Sequence, residues 1–144
     1  MIFNLVPATE CDKSFFWDNY CHSMRSHIEE IWGWDESWQR SDFETRWMEC
    51  ENYLVRMNEL SIGYIQSIDY DEEHYIMMFI LLPEYRSKGM GRQLLAQVKG
   101  HATLKYIGLR VFRTNLKALS FYESQGFSNV ENEGDFFYLK QKAL

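Results

Sequence analysis

Apolar positions fall along this chain in short alternating runs, in one unbroken run and in helical stripes. Their order outlines a fold. Residues 2–6 alternate well enough for a first strand, which Pro7 closes. From about residue 11 to residue 48 the spacing is helical, interrupted at Gly33. Asp35 is placed to cap a second helix running through Trp38, Phe43 and Trp47. Residues 53–57 read as a strand and Asn58-Glu59 as a tight turn. Residues 60–70 alternate next, with Ile62, Tyr64, Gln66, Ile68 and Tyr70 expected on one face. Asp71-Glu72-Glu73 is expected to be a solvated turn. The run YIMMFILL, residues 75–82, has the pattern of a strand covered on both faces, and Pro83 ends it. Leu94, Leu95, Val98 and Ala102 then form one helical stripe. Residues 107–111 form a further strand and residues 115–125 a short helix, with Gly126 as the residue just past its end. Residues 127–130 and 136–139 flank Glu133-Gly134 as a terminal hairpin. The predicted order is βααβββαβαββ, with mostly antiparallel strands early and one βαβ crossover late. That is an α+β or mixed α/β fold.

Composition narrows the function classes. No repeat, low-complexity stretch or flexible linker divides the 144 residues, so a single domain is expected. The formal net charge of −6 argues against nucleic-acid binding as the main task and suits a cationic or amine partner. Cys11, Cys21 and Cys50 have no metal-ligand spacing and read as reduced thiols, hence a cytoplasmic location and no metal. Asn4, Glu10, Asp12 and Lys13 interrupt any signal-like apolar segment, and the longest apolar run is too short to span a bilayer, so no membrane is expected.

The chemistry gathers where the buried run hands over to a helix, in YRSKGMGRQLL. Gly89 and Gly91 sit at the start of that helix, with Arg86 and Lys88 beside them. A helix N-terminus offers unpaired amides and partial positive charge, and glycine lets an anion approach them without a Cβ in the way. The stretch reads as a phosphate cradle. It is not a Walker A loop, which needs GxxxxGK[ST], and a dinucleotide fingerprint would need a glycine where Leu94 stands.

PEYRSKGMG resembles the acyl-CoA pyrophosphate loop of the GNAT superfamily of N-acetyltransferases, [QR]-x-x-G-x-[GA], through Arg86, Gly89 and Gly91. Downstream, NLKALSFYESQGF is similar to that family's N-x-x-A-x-x-[FL]-Y-x-x-x-G-F segment at Asn115, Ala118, Phe121, Tyr122, Gly126 and Phe127. The resemblance covers the C-terminal half well. It implies a GNAT-type fold: a central, mostly antiparallel sheet of six to seven strands, helices on both faces, and one N-acetyltransferase domain over residues 1–144. Within it, residues 1–50 would form the first strand and acceptor-side helices, 51–82 antiparallel strands, 83–127 the acyl-CoA-binding segment and 127–144 the terminal hairpin.

By the same resemblance, the backbone of Ile80, Leu81 and Leu82, with Leu81 foremost, would pair with the pantetheine arm of acetyl-CoA. The pyrophosphate would lie over Arg86, Ser87, Lys88, Gly89, Met90 and Gly91. Asn115 would contact the co-substrate, although Asn is also a favoured cap residue. Tyr122 would be the general acid, a phenol of pKa about 10 protonating a thiolate of pKa about 8.5 as it leaves. The base stays open among Glu73, His74, Glu29, Glu30 and His27. Family members form the acceptor pocket from the first two helices. Here that region offers Trp32, Trp34 and Trp38 beside Glu29, Glu30, Asp35 and Glu36, with Trp32, Trp34 and Glu30 as acceptor-binding candidates. The implied activity is acetyl transfer from acetyl-CoA to a primary amine in a ternary complex, without an acyl-cysteine, because neither motif contains a cysteine. The acceptor is read as a small amine and a homodimer is plausible. A noncatalytic acyl-CoA-binding regulatory module and a protein or peptide N-acetyltransferase are the alternatives.

Overall fold

The computed structural model describes residues 3–143. The strands are β1 (Asn4–Pro7), β2 (Glu51–Met57), β3 (Leu60–Tyr70), β4 (Glu73–Leu81), β5 (Tyr106–Phe112), β6 (Ser128–Asn132) and β7 (Phe136–Lys142). The helices are α1 (Lys13–Ile31), α2 (Glu36–Glu49), α3 (Met90–Gly100) and α4 (Leu116–Ser124). Apart from two short 3-10 turns, Glu10–Asp12 and Pro83–Tyr85, this is the predicted order. Ile2, placed in the first strand by the sequence pattern, lies outside the described residues.

Local chemistry explains the boundaries. The Asp35 carboxylate accepts from the Trp38 N–H at 3.0 Å and caps α2, and Gly33 at φ 80° ends α1. Asn58 and Asp71 take left-handed φ values of 58° and 52°, as tight hairpin turns before β3 and β4 demand. Gly126, at φ 97°, closes α4, with the Phe127 N–H donating to the Tyr122 carbonyl at 3.1 Å.

The strands form one sheet in the order β1-β2-β3-β4-β5-β7-β6. The β4–β5 pair is parallel, bridged by α3, and the other neighbours are antiparallel. Leu94, Leu95 and Val98 of α3, with Tyr122 of α4, pack on one cluster that includes Val55, Ile65, Ile107, Leu109 and Leu139. Phe16, Tyr20 and Ile28 of α1 and Phe43 and Trp47 of α2 pack on a second, with Leu54, Tyr64 and Ile80. Helices therefore cover both faces. Polar side chains fasten the edges: Gln97 exchanges hydrogen bonds with both backbone groups of Phe3, at 3.1 and 2.6 Å. Buried Gln66 donates to Asn52 at 2.8 Å, and Asn52 in turn holds the end of α2 through the Trp47 carbonyl at 2.8 Å. Among the described residues no helix is long and apolar enough to cross a membrane.

Three expectations are corrected. Val55 pairs with Gly63 and Arg56 with Ser61, which leaves Ile62 as an extra residue in β3. The bulge turns Ile62 into the α3-side cluster while Tyr64 enters the opposite one, so the expected single face of β3 does not persist. Glu73 is not solvated: it opens β4, its carboxylate accepts from the Tyr138 hydroxyl, and it pairs with Lys140 at 3.4 Å. Ala102 lies beyond the end of α3, although it still packs against the core.

Candidate active site

The unbroken apolar run in β4 is not fully covered. Pairing between β4 and β5 stops at Ile76–Leu109, while β4 continues to Leu81 and β5 to Phe112. A second bulge contributes: Gln66 pairs with Met78 and Ser67 with Ile76, leaving Met77 extra. Beyond this point the strands part. Met77, Met78 and Phe79 are only half-buried and line a cavity of about 500 Å³ between the splayed strands. The opposite wall is Leu109, Arg110, Val111 and Phe112.

Past the bulge, the edge of β4 that faces β5 has no strand partner. Both backbone groups of a strand residue point to the same side, and the side alternates along the strand. The Leu82 N–H donates to Ile62 on the β3 side at 2.8 Å, so Ile80 shares that side and Leu81 and Phe79 face the gap. Of the three residues expected to pair with the pantetheine arm, Leu81 faces the gap, with its carbonyl already taken by the Arg86 side chain; Ile80 and Leu82 are turned to β3. Phe79 is the position the sequence motif did not single out.

Tyr122 lies on the cavity wall, enclosed by Phe79, Phe121 and Phe127 at ring-centroid separations of 5.1–6.3 Å. Burial alone pushes its phenol well above the ordinary value, so it stays protonated at neutral pH. Asn115 also lines the cavity and caps α4, its Oδ1 accepting from the Ala118 N–H at 3.2 Å. That leaves its Nδ2 for other partners.

Below the gap, the loop forms a concave run of amides. Ser87 and Gly89 both have left-handed φ, 60° and 77°, with Lys88 between them, an alternation that turns successive N–H groups inward. Gly89 is the N-cap of α3 and provides no side-chain cap, so the first-turn amides are open to a ligand. A Cβ on Gly91 would stand 3.4 Å from Cζ of Phe121, the neighbour of Tyr122, so the loop abuts the helix that carries the candidate acid. Arg86 is an exposed residue, yet its guanidinium is not free. Its Nε donates to the Leu81 carbonyl and its Nη2 to Ser23 Oγ, both at 2.8 Å, and partial burial lowers its pKa. The guanidinium holds the loop to β4 and α1. Lys88 and Ser87 are exposed as well.

The predicted acceptor residues separate. Trp32 lines the cavity, packed on Phe112 and Phe136, with its indole N–H donating to Asp135 at 2.9 Å. Trp38 lines it too and is 58% exposed. Trp34 instead packs among Trp17 and Tyr20, and Glu30 is an exposed residue away from the wall. The acids beside the tryptophans are occupied: Asp35 caps α2, Glu36 accepts from the Trp34 indole at 3.2 Å, and Glu29 pairs with Arg25 at 2.7 Å. None of the five base candidates lines this cavity. His27 faces Thr114 at 3.1 Å, His74 pairs with Asp69 at 2.6 Å, and Glu73 is engaged by Tyr138 and Lys140. The wall carboxylates are Asp42 and Glu49 of α2. Among the described residues no cluster of His, Cys, Asp and Glu could hold a metal.

Residues 27–139 match the family model for an acetyltransferase (GNAT) domain. The chain belongs to the GNAT acetyltransferase family. Solved GNAT-type structures superpose over nearly its whole length. An N-acetyltransferase from Thermoplasma acidophilum, PaiA, in complex with coenzyme A is 18% identical, with a TM-score of 0.76 and 99% of each chain covered. An acetyltransferase from Thermus thermophilus is 19% identical, with a TM-score of 0.78, covering 99% of this chain and 97% of that one. A spermidine N-acetyltransferase from Vibrio cholerae in complex with CoA and spermine is 16% identical, with a TM-score of 0.72, covering 98% and 95%. No curated protein is significantly similar in sequence.

In this GNAT fold, the sequence motifs missed the α1–α2 wall of the cavity: Tyr20, Gln39, Asp42 and Arg46. A signal existed. Gln39, Phe43 and Trp47 recur at i, i+4 and i+8, so Gln39 occupies the apolar stripe of α2, with Arg46 at its border. Polar groups on a core-facing stripe are the ones to question.

Proposed function

We propose that this GNAT protein transfers the acetyl group of acetyl-CoA directly to the primary amine of a small molecule bound in the same cavity. The observation that carries the reading is Tyr122, a protonated phenol on the wall of the β4–β5 gap, one residue from the ring that underlies the Gly89–Gly91 loop. The loop amides would hold the pyrophosphate of acetyl-CoA, and the gap-facing backbone groups of Phe79 with the N–H of Leu81 would align the pantetheine arm along the open edge of β4. Arg86, which anchors the loop, and Asn115, whose Nδ2 stays available, support that placement.

With the thioester in the gap, the amine nitrogen attacks its carbonyl carbon and a C–N bond forms. The C–S bond then breaks, the leaving thiolate takes the Tyr122 proton, and the attacking nitrogen, cationic once bonded, gives its surplus proton to water. The amine must first shed the proton that makes it an ammonium ion, and Asp42 and Glu49 are the wall carboxylates able to accept it. Tyr122 regains its proton from solvent as the products leave. A cavity of about 500 Å³ suits a small molecule. Direct transfer is favoured because no cysteine lines the cavity, and burial raises the Cys21 and Cys50 thiols away from the reactive thiolate. The three unpaired thiols also suit a reducing, cytoplasmic setting.

The test is calorimetric titration with acetyl-CoA, with a Gly89 and Gly91 double substitution as control, followed by thiol release with an amine panel. Saturable binding that the control loses, with amine-dependent thiol release, supports the reading. Binding without turnover on any amine would favour the noncatalytic acyl-CoA module, and no binding by folded protein would refute both.

A further inference from the structure

The α1–α2 wall of the cavity holds a cation without adequate partners. Arg46 lines the cavity, yet its side chain is only 12% exposed, and its Nε and Nη2 are sealed with no hydrogen bond among the described residues. Its nearest carboxylate, Asp42, stands 3.5 Å from Nε without forming a hydrogen bond. The guanidinium lies over the Tyr20 ring at 4.5 Å, and Tyr20 donates to Gln39 Oε1 at 3.0 Å. In the core cluster shared with Tyr20, the Tyr64 hydroxyl, in a fully buried side chain, also lacks a partner among the described residues. Gln39 is itself buried on the cavity wall, its amide Nε2 without a hydrogen bond to any described residue.

Native proteins seldom leave buried donors unmet, and a nearly buried guanidinium held by one loose ion pair and a ring face, with two N–H groups unmet, is costly. A group supplied from the cavity would satisfy them. It must be an acceptor of hydrogen bonds and an anion, since its partners are a guanidinium and an amide N–H. Arg presents a planar fork that matches a carboxylate. With Asp42 3.5 Å from Nε, a singly charged group fits better than a doubly charged phosphate, which the half-exposed carboxylate would repel more strongly.

From this we infer that the acceptor is an amine that also carries a carboxylate, an amino acid or a related aminocarboxylate, bound through Arg46 and Gln39; the inference rests on acetyl transfer as proposed above. Arg46 would turn its fork from the loose Asp42 pair toward the cavity, which its long side chain permits. Asp42 and Glu49 would be left to face the ammonium group of the same ligand.

The experiment uses α-amino acids of increasing length, from glycine to lysine, each against its decarboxylated amine. Thiol release is followed at saturating acetyl-CoA. At least one amino acid should exceed its decarboxylated partner tenfold or more in kcat/KM, chiefly through KM. In Arg46→Met that discrimination should collapse toward unity, and Arg46→Lys should restore part of it. A thermal shift without acetyl-CoA provides a readout independent of turnover: the preferred amino acid should raise the Tm of the unaltered protein and not that of Arg46→Met. Preference for the decarboxylated amines, or equal loss with both members of a pair, would overturn the carboxylate subsite. Amino-acid binding that depends on Arg46, without thiol release, would uphold the subsite and count against acetyl transfer alone.

Discussion

The Arg86 guanidinium donates to the Leu81 carbonyl oxygen at 2.8 Å, tying the first residue of the phosphate loop to the last residue of strand β4. The same group reaches Ser23 on α1, so one side chain fixes the loop, the open strand edge and the acceptor-side helix relative to one another. Arg86→Lys keeps the charge but cannot span two acceptors with a fixed fork. It should cost about 1 kcal/mol of stability, since the group is partly solvated. Acetyl-CoA affinity should fall several-fold, as titration calorimetry would register. Unchanged affinity would mean that the loop holds its shape without the arginine.

The two glycines should respond differently. Gly89 has a φ of 77°, where an L-residue costs roughly 1–2 kcal/mol, so Gly89→Ala should lower the Tm. At Gly91 a Cβ meets Phe121 at 3.4 Å and nothing closer, so Gly91→Ala should fold with nearly the parental Tm. It should nevertheless bind acetyl-CoA at least tenfold more weakly, because the methyl group would stand where the anion approaches. Equal affinity in folded Gly91→Ala would remove that glycine from the cradle.

Tyr122→Phe deletes a hydroxyl that makes no hydrogen bond to a described residue. Stability and acetyl-CoA affinity should therefore be nearly unchanged, while turnover drops on the order of 10²-fold or more. Steady-state kinetics beside a melting curve separates the two effects. A variant that turns over at the parental rate would exclude the phenol as the acid.

Replacing Cys11, Cys21 and Cys50 together by Ser or Ala should preserve acetyl transfer in folded protein, since none lines the cavity. Rapid quenching with labelled acetyl-CoA in the absence of amine should trap no acetylated enzyme. Loss of chemistry in the folded triple variant would instead require an acyl-cysteine.

Alkaline pH should unfold the protein. Burial raises the phenols of Tyr20, Tyr64, Tyr75 and Tyr122, and Tyr138 is raised by burial and by its hydrogen bond to Glu73. A folded pKa above the unfolded value of about 10 means that folding favours the protonated form. The associated stability is whole below about pH 10 and is lost as pH rises toward the folded values. The buried thiols add the same trend from about pH 8.5. Melting temperature should decline across roughly pH 9–12, together with a phenolate absorbance step that coincides with unfolding. A phenolate signal that completes near pH 10 in folded protein would contradict the burial argument.

The order of elements, the crossover around α3, the Asp35 and Asn115 caps, the Gly126 helix stop and the glycine-mounted loop were all legible in the chain's residues. The caps, the helix stop and the loop depend on residues within a turn or two of one another, so local dihedral preferences and periodicity suffice to place them, and the crossover follows from the order of the elements. Where β4 parts from β5 became visible only once the strands were packed. Eight consecutive apolar residues look the same whether a neighbouring strand covers them or a ligand cavity does, and the Met77 bulge depends on β3, which the run itself does not encode. Packing likewise tied Arg86 to Leu81 and Ser23, set Trp34 against Trp17 and Tyr20 while Trp32 lines the cavity, and laid Arg46 over Tyr20. Long side chains have several rotamers within reach of several partners, and only the meeting of segments distant in sequence selects among them.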